Sequence, residues 1–384
     1  MKNVYLDHTA TTPLAPEVLE AMKPYFGETF GNASSIHSFG RRAKLALEES
    51  RESIARSIGA AIDELFFTSG GTEADNHALR GVVASARKRG KNHIIVSAIE
   101  HHAVLHPAES LREEGIEVTT VPVDEFGMID PDDIRKSINP RTSLISVMHA
   151  NNEIGTIEPI AAIGAIGREH GVLVHSDTVQ TLGKIPVHVG KLNVDMASFS
   201  SHKLYGPKGI GAVYIRKGTS IDPFLEGGAQ ESNRRAGTEN VPAAVGFAKA
   251  VDLCEKYSDE AARLKSLAKH LRGRISSELG GVIFNGHPDQ ALFNIVSISF
   301  DSKRRSVDGE ALIIGMDLHG VAVTSGSACT SGSLQPSHVL LAMGRDEATA
   351  RATIRFSMGR STTLADIDYS VDALKDVLAK MGKK

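Results

Sequence analysis

Short runs of apolar and β-branched residues alternate with amphipathic stretches along the middle of the chain, and this alternation constrains the fold more than any other feature. Several of these runs are apolar at consecutive positions, as strands of a parallel sheet covered by helices on both faces must be. The amphipathic stretch at 159–171 ends at a glycine, which is typical of a helix. This pattern predicts an α/β fold with parallel strands joined by right-handed crossovers. The predicted strands are HIIVSAI (93–99), EVTTVPV (117–123), TSLISVM (142–148), GVLVHSD (171–177), MASFSSH (196–202) and AVYI (212–215).

The pattern changes near residue 250. A charged helical stretch at 261–279 is followed by two strand-like runs, at 294–300 and 352–358, that are interspersed with shorter helices. A final helix starts at Thr363, and Asp366 stands at capping-box spacing from it. We therefore predict two domains. Residues 27–250 form a large α/β domain, and residues 1–26 together with 251–384 form a smaller α+β domain.

Composition excludes several classes of protein. The 384 residues carry 43 basic and 46 acidic side chains, with no basic stripe that would bind nucleic acid. No apolar run is long enough to cross a membrane, and the N-terminus lacks the apolar segment of a signal peptide. Two cysteines cannot form a disulfide framework, and no CxxC pair offers a zinc site. We expect a cytoplasmic protein that binds neither nucleic acid nor a membrane.

Two segments place polar side chains where strands end and helices begin, the position at which α/β sheets bind ligands. In TSGGTEADN, two glycines precede Thr72, and the N–H groups of a helix N-terminus beside that hydroxyl suit a phosphate. A plain glycine-rich turn capped by a threonine explains the same residues. Asp177 ends a buried run, where an unpaired carboxylate is costly, so this residue either meets a cation or caps the next helix.

Two further segments add a lysine and a histidine. Lys203 follows a predicted strand; Ser200 and His202 precede it, and a GPKG turn comes after it. It is either a surface residue or a partly desolvated lysine that can form a Schiff base. His101 follows another strand, where an imidazole can stack on a flat cofactor or move protons. His102 and His106 have i,i+4 spacing, but without an HExxH pattern we predict no metal site. Together the four segments supply what a pyridoxal 5′-phosphate site needs.

Cys329 lies in TSGSACTSGS (324–333), a run of small and hydroxyl-bearing residues that cannot pack a core. Such a run predicts an exposed loop. The cysteine in it is either incidental or a nucleophile on a movable arm. The second cysteine, Cys254, lies in the helical stretch AVDLCEKY, where we expect it to be packed.

Ten motifs in order resemble those of the group I cysteine desulfurases, which are fold-type I pyridoxal phosphate enzymes of the class V aminotransferase superfamily. The resemblance covers nearly the whole chain. It implies a large domain with a mostly parallel seven-stranded sheet, a smaller α+β domain, pyridoxal 5′-phosphate as cofactor and a homodimer with shared active sites. The motifs are DHTATTP, GNASSIH, TSGGTEADN, EHHAV, NNEIG, HSDTVQ, SFSSHKLYGPKG, RRAGTEN, SGSACTSGS and IRFSMGR.

The resemblance also implies roles for individual residues. Lys203 and Cys329 correspond to the Schiff-base lysine and the sulfur-accepting cysteine, Asp177 to the partner of the pyridinium nitrogen, and His101, of the pair with His102, to the ring-stacking histidine. The remaining matches are Thr72, Ser200 and His202 for the phosphate, Gln180 and Asn152 (or Asn151) near the phenolic oxygen, Thr238 for a phosphate contact from the other subunit, Arg355 for the substrate carboxylate, and Asn32 in a substrate-side loop.

The activity implied by the resemblance is conversion of L-cysteine to L-alanine, with transfer of the sulfur to Cys329 as a persulfide. A sulfur-acceptor protein, such as an iron–sulfur scaffold, would then carry it to iron–sulfur cluster or thio-cofactor biosynthesis. The chain departs from the family at Ala33, where proline is frequent, and it ends soon after the last helix without the extension by which some members dock a scaffold. The alternatives are a selenocysteine lyase, a class V transaminase and a non-catalytic sulfur-relay or assembly subunit.

Overall fold

The structure is a computed structural model that describes residues 2–256, 259–326 and 335–381. The described strands are β1 (Val4–Tyr5), β2 (Leu65–Thr68), β3 (His93–Ser97), β4 (Glu117–Val121), β5 (Thr142–Ser146), β6 (Leu173–Asp177), β7 (Met196–Ser200), β8 (Gly211–Ile215), β9 (Val282–Asn285), β10 (Ile295–Phe300), β11 (Val321–Ala322) and β12 (Thr353–Ser357).

Helices surround these strands, and short 3-10 turns at Ile62–Glu64 and Ser201–Lys203 precede β2 and follow β7. The described helices are α1 (Pro16–Met22), α2 (Pro24–Gly27), α3 (Ser38–Ser57), α4 (Gly71–Arg87), α5 (His102–Glu113), α6 (Pro131–Ser137), α7 (Ile160–His170), α8 (Val189–Leu192), α9 (Gln230–Asn233), α10 (Val241–Lys256), α11 (Glu260–Glu278), α12 (Gly309–Leu318), α13 (His338–Ala342), α14 (Glu347–Arg351) and α15 (Leu364–Met381). None of these helices combines the length and the apolarity needed to span a membrane.

The largest sheet of the described chain has seven strands in the order β2-β8-β7-β6-β5-β3-β4. Strand β8 runs antiparallel to both β2 and β7, and the other pairs are parallel. Strands β3, β5 and β7 are buried at every position, because helices cover both faces of the sheet. The predicted α/β class with a mostly parallel seven-stranded sheet is confirmed.

A second apolar core lies under the antiparallel sheet β12-β10-β9 and includes side chains of α11, α12 and α15. Val4 and Leu6 belong to this second core, whereas Ala15 and Val18 belong to the core of the seven-stranded sheet. The chain therefore crosses from one core to the other between residues 6 and 15, and this crossing segment reaches the cavity described below. The division into residues 27–250 and the remainder stays a prediction.

Candidate active site

A cavity of about 330 Å³ lies where β2, β6 and β7 end, at the carboxyl edge of the parallel strands. Thr9 and Ala10 of the crossing segment, and Thr324 and Gly326 from the second core's side, complete its wall. Loops that follow parallel strands meet at one edge of a sheet, which is why distant motifs converge here. Nine predicted site residues line the cavity: Thr72, His101, Asn152, Asp177, Gln180, Ser200, His202, Lys203 and Arg355.

The other predicted site residues do not line the cavity of this chain. Asn32 and Thr238 are both exposed, and neither is among its lining residues. Cys329 lies outside the described residues, although Gly326, three positions earlier in the sequence, lines the cavity. Asn151 is buried in a structural role, because its Nδ2 donates to the carbonyl of Ile99 at 2.9 Å.

Lys203 follows β7 at the end of a 3-10 turn that directs the residue away from the sheet. Its Nζ donates to the carbonyls of Thr9 (2.6 Å) and Ala10 (2.8 Å) in the crossing segment. Burial, reinforced by the charge of Arg355, lowers the pKa of Lys203 to about 8. A larger fraction of this amine is therefore neutral, and nucleophilic, at pH 7 than for an ordinary lysine.

Asp177 is the last residue of β6 and is buried. Its Oδ1 accepts the N–H of Val179 at 2.9 Å, but no cation of the described chain forms an ion pair with it. Burial raises the pKa of Asp177 to about 6. Asp75, also buried, lies near enough for the two carboxyls to repel, and its pKa is raised by burial and then by Asp177. The pair is electrostatically suited to a cationic ligand.

The N-terminus of α4 opens onto the cavity at Gly71 and Thr72. A Cβ on Gly71 would lie 2.6 Å from Cγ2 of Val179, so only a glycine permits this approach of helix to loop. The free N–H groups and positive dipole of a helix N-terminus favour an anion. Across the cavity, His202 is within hydrogen-bond distance of Oγ1 of Thr11, and burial lowers its pKa to about 4.

Arg355 projects from β12 and is buried. One terminal nitrogen donates to the carbonyl of Asn152 at 2.7 Å, and the other donates to Oδ1 of Asp7 at 2.9 Å. Its Nε has no hydrogen-bond partner among the described residues. The two hydrogen bonds use two of the five N–H donors of a guanidinium, so Arg355 retains donors for a carboxylate.

His101 caps α5, and its Nδ1 accepts the N–H of Ala103 at 3.0 Å. Burial, and then the charge of Lys203, lowers the pKa of His101 to about 4, so the ring is neutral at pH 7. A neutral ring in the cavity wall is compatible with stacking.

His102 does not line this cavity; its ring packs against those of His106 (4.7 Å) and His338 (4.8 Å). No group of His, Cys, Asp and Glu in the described chain is arranged to hold a metal ion.

Sequence reasoning missed four groups at this site. Asp7 pairs with Arg355, Asp75 neighbours Asp177, and the carbonyl of Thr9 holds Lys203. Glu153 is buried and accepts a hydrogen bond from the Ser337 hydroxyl. Asp75 alone left a sequence signal, since it is an acid on the apolar side of a helix, beside Ala74, Ala78 and Leu79.

The chain matches the aminotransferase class-V family over residues 4–369 and belongs to that family. A relative from Dictyoglomus turgidum, named cysteine desulfurase IscS, is 49% identical over 381 residues, which cover 99% of this chain and 95% of the relative. A solved structure described as a NifS-like protein has a TM-score of 0.90 and 38% identity, and covers 99% of this chain and 100% of its own. Another, described as SspA in complex with cysteine, has a TM-score of 0.81 and 35% identity, covering 93% and 99%. The resemblance to cysteine desulfurases predicted from the ten motifs is confirmed.

Proposed function

We propose that this chain is a pyridoxal 5′-phosphate-dependent cysteine desulfurase that takes up the substrate sulfur on Cys329. The observation that carries the proposal is the single cavity that joins Lys203, Asp177, Arg355 and the N-terminus of α4. A transaminase also needs the first three of these groups, but it has no use for a cysteine three positions after a residue that lines the cavity. The names of the relatives favour cysteine over selenocysteine as substrate.

The lining residues fit pyridoxal 5′-phosphate. A buried carboxyl without a paired cation, at Asp177, accommodates a protonated ring nitrogen. The N-terminus of α4, open because Gly71 lacks a Cβ, accommodates the phosphate with help from Thr72 and Ser200. Lys203 presents an amine of lowered pKa to the aldehyde. When bound, the cofactor supplies a sink for the electrons of the substrate Cα.

Each of the other site residues has a separate role in binding the substrate or in moving its proton. Arg355 binds and orients the substrate carboxylate through the N–H donors that its two hydrogen bonds leave unused, and Asn32 flanks the substrate side. Lys203, once it is free, holds the proton taken from Cα and returns it later, which its pKa near 8 permits. His101 covers one face of the cavity, and Gln180 with Asn152 orients the group at the phenolic position.

Cys329 acts as the sulfur acceptor in this proposal. Its thiolate attacks the substrate sulfur, an S–S bond forms, and the C–S bond of the substrate breaks. L-cysteine plus one thiol therefore yields L-alanine plus one persulfide, with atoms and protons in balance. A thiol reductant or an acceptor protein removes the terminal sulfur and restores Cys329. We further propose that the acceptor serves iron–sulfur cluster or thio-cofactor synthesis in the reducing cytoplasm, where Cys329 would stay a thiol.

A homodimer is part of the proposal, with Thr238 completing the partner's phosphate site. Two features support it. Thr238 is exposed and does not line the cavity of its own chain. The segment around Asn32 exposes four large apolar side chains, which we call the patch: Phe26, Phe30, Ile36 and Phe39, with exposed fractions from 43% to 91%. Patches of this kind on a soluble protein mark interaction sites.

The proposal is tested by incubating the purified holoenzyme with L-cysteine and dithiothreitol and quantifying alanine and sulfide together. We expect equal amounts of both products, over many turnovers. Selenocysteine and a keto acid acceptor are run in parallel. Turnover of selenocysteine alone would make the chain a lyase for that substrate, and transamination without sulfide would make it an aminotransferase. A colourless protein without any product would support a non-catalytic relay subunit.

A further inference from the structure

Three consecutive residues of α9 lie in the left-handed region: Glu231 (φ 44°), Ser232 (φ 56°) and Asn233 (φ 62°). Residues other than glycine adopt this conformation rarely and at an energetic cost, so the surrounding structure must hold the turn in place. Thr238 follows five positions later in the sequence. The contacts that hold the turn therefore bear on where Thr238 is presented.

The first contact joins the turn to β2, an edge strand of the seven-stranded sheet. Arg51 donates to the carbonyl of Leu65 at 2.8 Å, and Glu231 accepts the N–H of Phe67 at 2.8 Å. Arg51 and Glu231 also form a two-pronged ion pair, at 2.6 and 2.7 Å, and both are buried. Two side chains thus occupy the backbone groups that a neighbouring strand would otherwise take.

The second contact joins the turn to the first turn of α4. Arg235 donates to both carboxylate oxygens of Glu73, at 2.8 and 3.3 Å. Glu73 in turn accepts the N–H of Ser69 at 2.8 Å. Gly71 and Thr72 form the proposed phosphate cradle, so Glu73 lies immediately after it and Phe67 lies four positions before it. The turn is therefore attached on both sides of the cradle.

Cation–π contacts add to the attachment. The guanidinium of Arg51 lies 4.8 Å from the ring centroid of Phe67, and that of Arg234 lies 5.1 Å from the ring centroid of Phe66. Adjacent residues of a strand project to opposite faces, so the turn and α3 hold β2 from both sides. We call residues 231–235, with their partners Arg51 and Glu73, the clasp.

We propose that the clasp positions Thr238 for the partner subunit, so that each subunit's own phosphate cradle sets the geometry of the site across the dimer. This inference rests on the shared-site homodimer proposed above. Glu73 and Arg235 are then positioning residues that act in the other subunit's site. Loosening the clasp should weaken cofactor binding in the partner while leaving the cofactor affinity of the altered subunit nearly unchanged.

The test uses mixed dimers purified through two affinity tags. The variant is Glu73→Gln with Arg235→Gln, which removes the ion pair without leaving an unpaired carboxylate beside the cradle. In dimer A, one subunit carries both changes plus Lys203→Ala, and the other is unaltered. In dimer B, one subunit carries Lys203→Ala and the other carries the clasp changes. The dissociation constant of pyridoxal 5′-phosphate is measured from the visible band that requires Lys203.

The reference is a dimer of one Lys203→Ala subunit and one unaltered subunit. Relative to it, we expect the dissociation constant of the cofactor to rise about ten-fold or more in dimer A and to change by less than about two-fold in dimer B. An equal loss in both dimers, a loss in dimer B alone, or no loss in either would overturn the proposal. Because the buried Arg51–Glu231 pair is untouched, the variant should fold, which thermal melting checks.

Two further variants complete the design. The first, Thr238→Ala, takes the place of the clasp changes in a dimer built like dimer A. If this dimer keeps its cofactor affinity, the proposed shared site is wrong. If Thr238→Ala weakens binding and the clasp changes do not, the clasp proposal alone fails. Arg80→Gln is the matched control, because Arg80 also belongs to α4 and forms an exposed ion pair with Glu114 at 3.2 Å. Arg80→Gln should leave the dissociation constant of the cofactor unchanged, whether it is placed as in dimer A or as in dimer B.

Discussion

At the scale of single residues, Asp177 combines burial with the lack of a paired cation. Its pKa is about 6 in the folded chain, against 3.8 for an ordinary aspartate. The folded state therefore binds the proton more tightly, and the free energy of unfolding falls as the pH rises from about 4 to about 6. Above pH 6 the loss is complete. Because the unpaired carboxylate of Asp177 lowers the free energy of unfolding at neutral pH, we expect a cationic group of a bound ligand to offset this loss.

We predict that apo Asp177→Asn melts at a higher temperature than the apo wild type at pH 7, because the amide is neutral. The difference should shrink towards pH 4, where the wild-type carboxyl is protonated as well. Thermal melts of both apo proteins at the two pH values measure it. A variant less stable than the wild type at pH 7 would show that the carboxylate has a stabilising partner.

Lys203→Ala should abolish the visible absorbance of the purified protein, since its amine lines the cavity and is held there by two carbonyls. Lys208→Ala is the matched control, because Lys208 is exposed on the turn that follows. Spectra of both variants, recorded after incubation with pyridoxal 5′-phosphate, decide the matter. An unchanged band in Lys203→Ala would remove the lysine from its proposed role.

The two cysteines should differ in function. Cys254 is half-buried on α10, its Sγ donates to the carbonyl of Ala250 at 3.2 Å, and burial raises its pKa. A thiol of this kind is unreactive, so Cys254→Ser should retain alanine production within about two-fold. Cys329→Ala should bind L-cysteine but form no alanine over repeated turnovers. Normal sulfide release by Cys329→Ala would exclude the thiol as acceptor.

At the scale of elements, the N-terminus of α4 depends on the small size of Gly71. An added Cβ would collide with Val179, and overpacking of this kind costs about 1–3 kcal/mol. We predict that Gly71→Ala weakens the binding of pyridoxal 5′-phosphate by about ten-fold or more. Val179→Ala should restore part of the affinity in the double variant. Titration of the apo proteins, followed by the visible band, measures this.

Gly70→Ala is the control for this prediction. A Cβ there meets no atom within 4 Å, and its φ of 162° is extended backbone that any residue adopts. Its affinity should match that of the wild type. Equal losses at Gly70 and Gly71 would mean that the loop needs two glycines for flexibility, and that close packing against Val179 is not the reason.

The elements themselves were largely predictable. A run that is apolar at consecutive positions fits a buried strand, and β3, β5 and β7 lie within the predicted ranges. The ends were less accurate, because the strand predicted over 196–202 includes Ser201 and His202, whereas Ser201–Lys203 is a 3-10 turn. That turn brings Lys203 to the cavity. Local pattern does not report it, since the turn is stabilised by contacts with a segment nearly two hundred residues away.

At the scale of the whole molecule, the patch of Phe26, Phe30, Ile36 and Phe39 is expected to lie in the dimer interface. Ile36 is 91% exposed in the single chain, and a charge at a buried interface position is strongly unfavourable. We predict that Ile36→Asp raises the dimer dissociation constant by about ten-fold or more. Sedimentation velocity over a dilution series measures this.

Leu318→Asp is the matched control, because Leu318 is 68% exposed at the end of α12, away from the patch. It should leave the dimer intact. If both changes dissociate the dimer equally, the interface extends to the second core and the assigned patch is wrong.

Motif matching located nine lining residues of the cavity but missed the groups that hold them in position. The carbonyl of Thr9 is a backbone group, and backbone groups carry no signal in the amino-acid letters. Asp7 meets Arg355 across 348 positions of sequence, and that pairing requires the three-dimensional path of the crossing segment. The chemical roles of the lining side chains could thus be predicted from their residue types. The contacts that hold these side chains in position join residues distant in sequence, and only the fold shows them.

The ion pair on the outer side of β2 has a consequence for how the protein behaves when concentrated. The exposed border of a sheet can template the addition of strands from other molecules, which leads to fibres and precipitates. Here Arg51 and Glu231 already occupy the hydrogen-bonding groups of Leu65 and Phe67 on that side. Copies of the chain are thereby kept from joining sheet to sheet at this border. We therefore expect the same two side chains to protect the protein against aggregation.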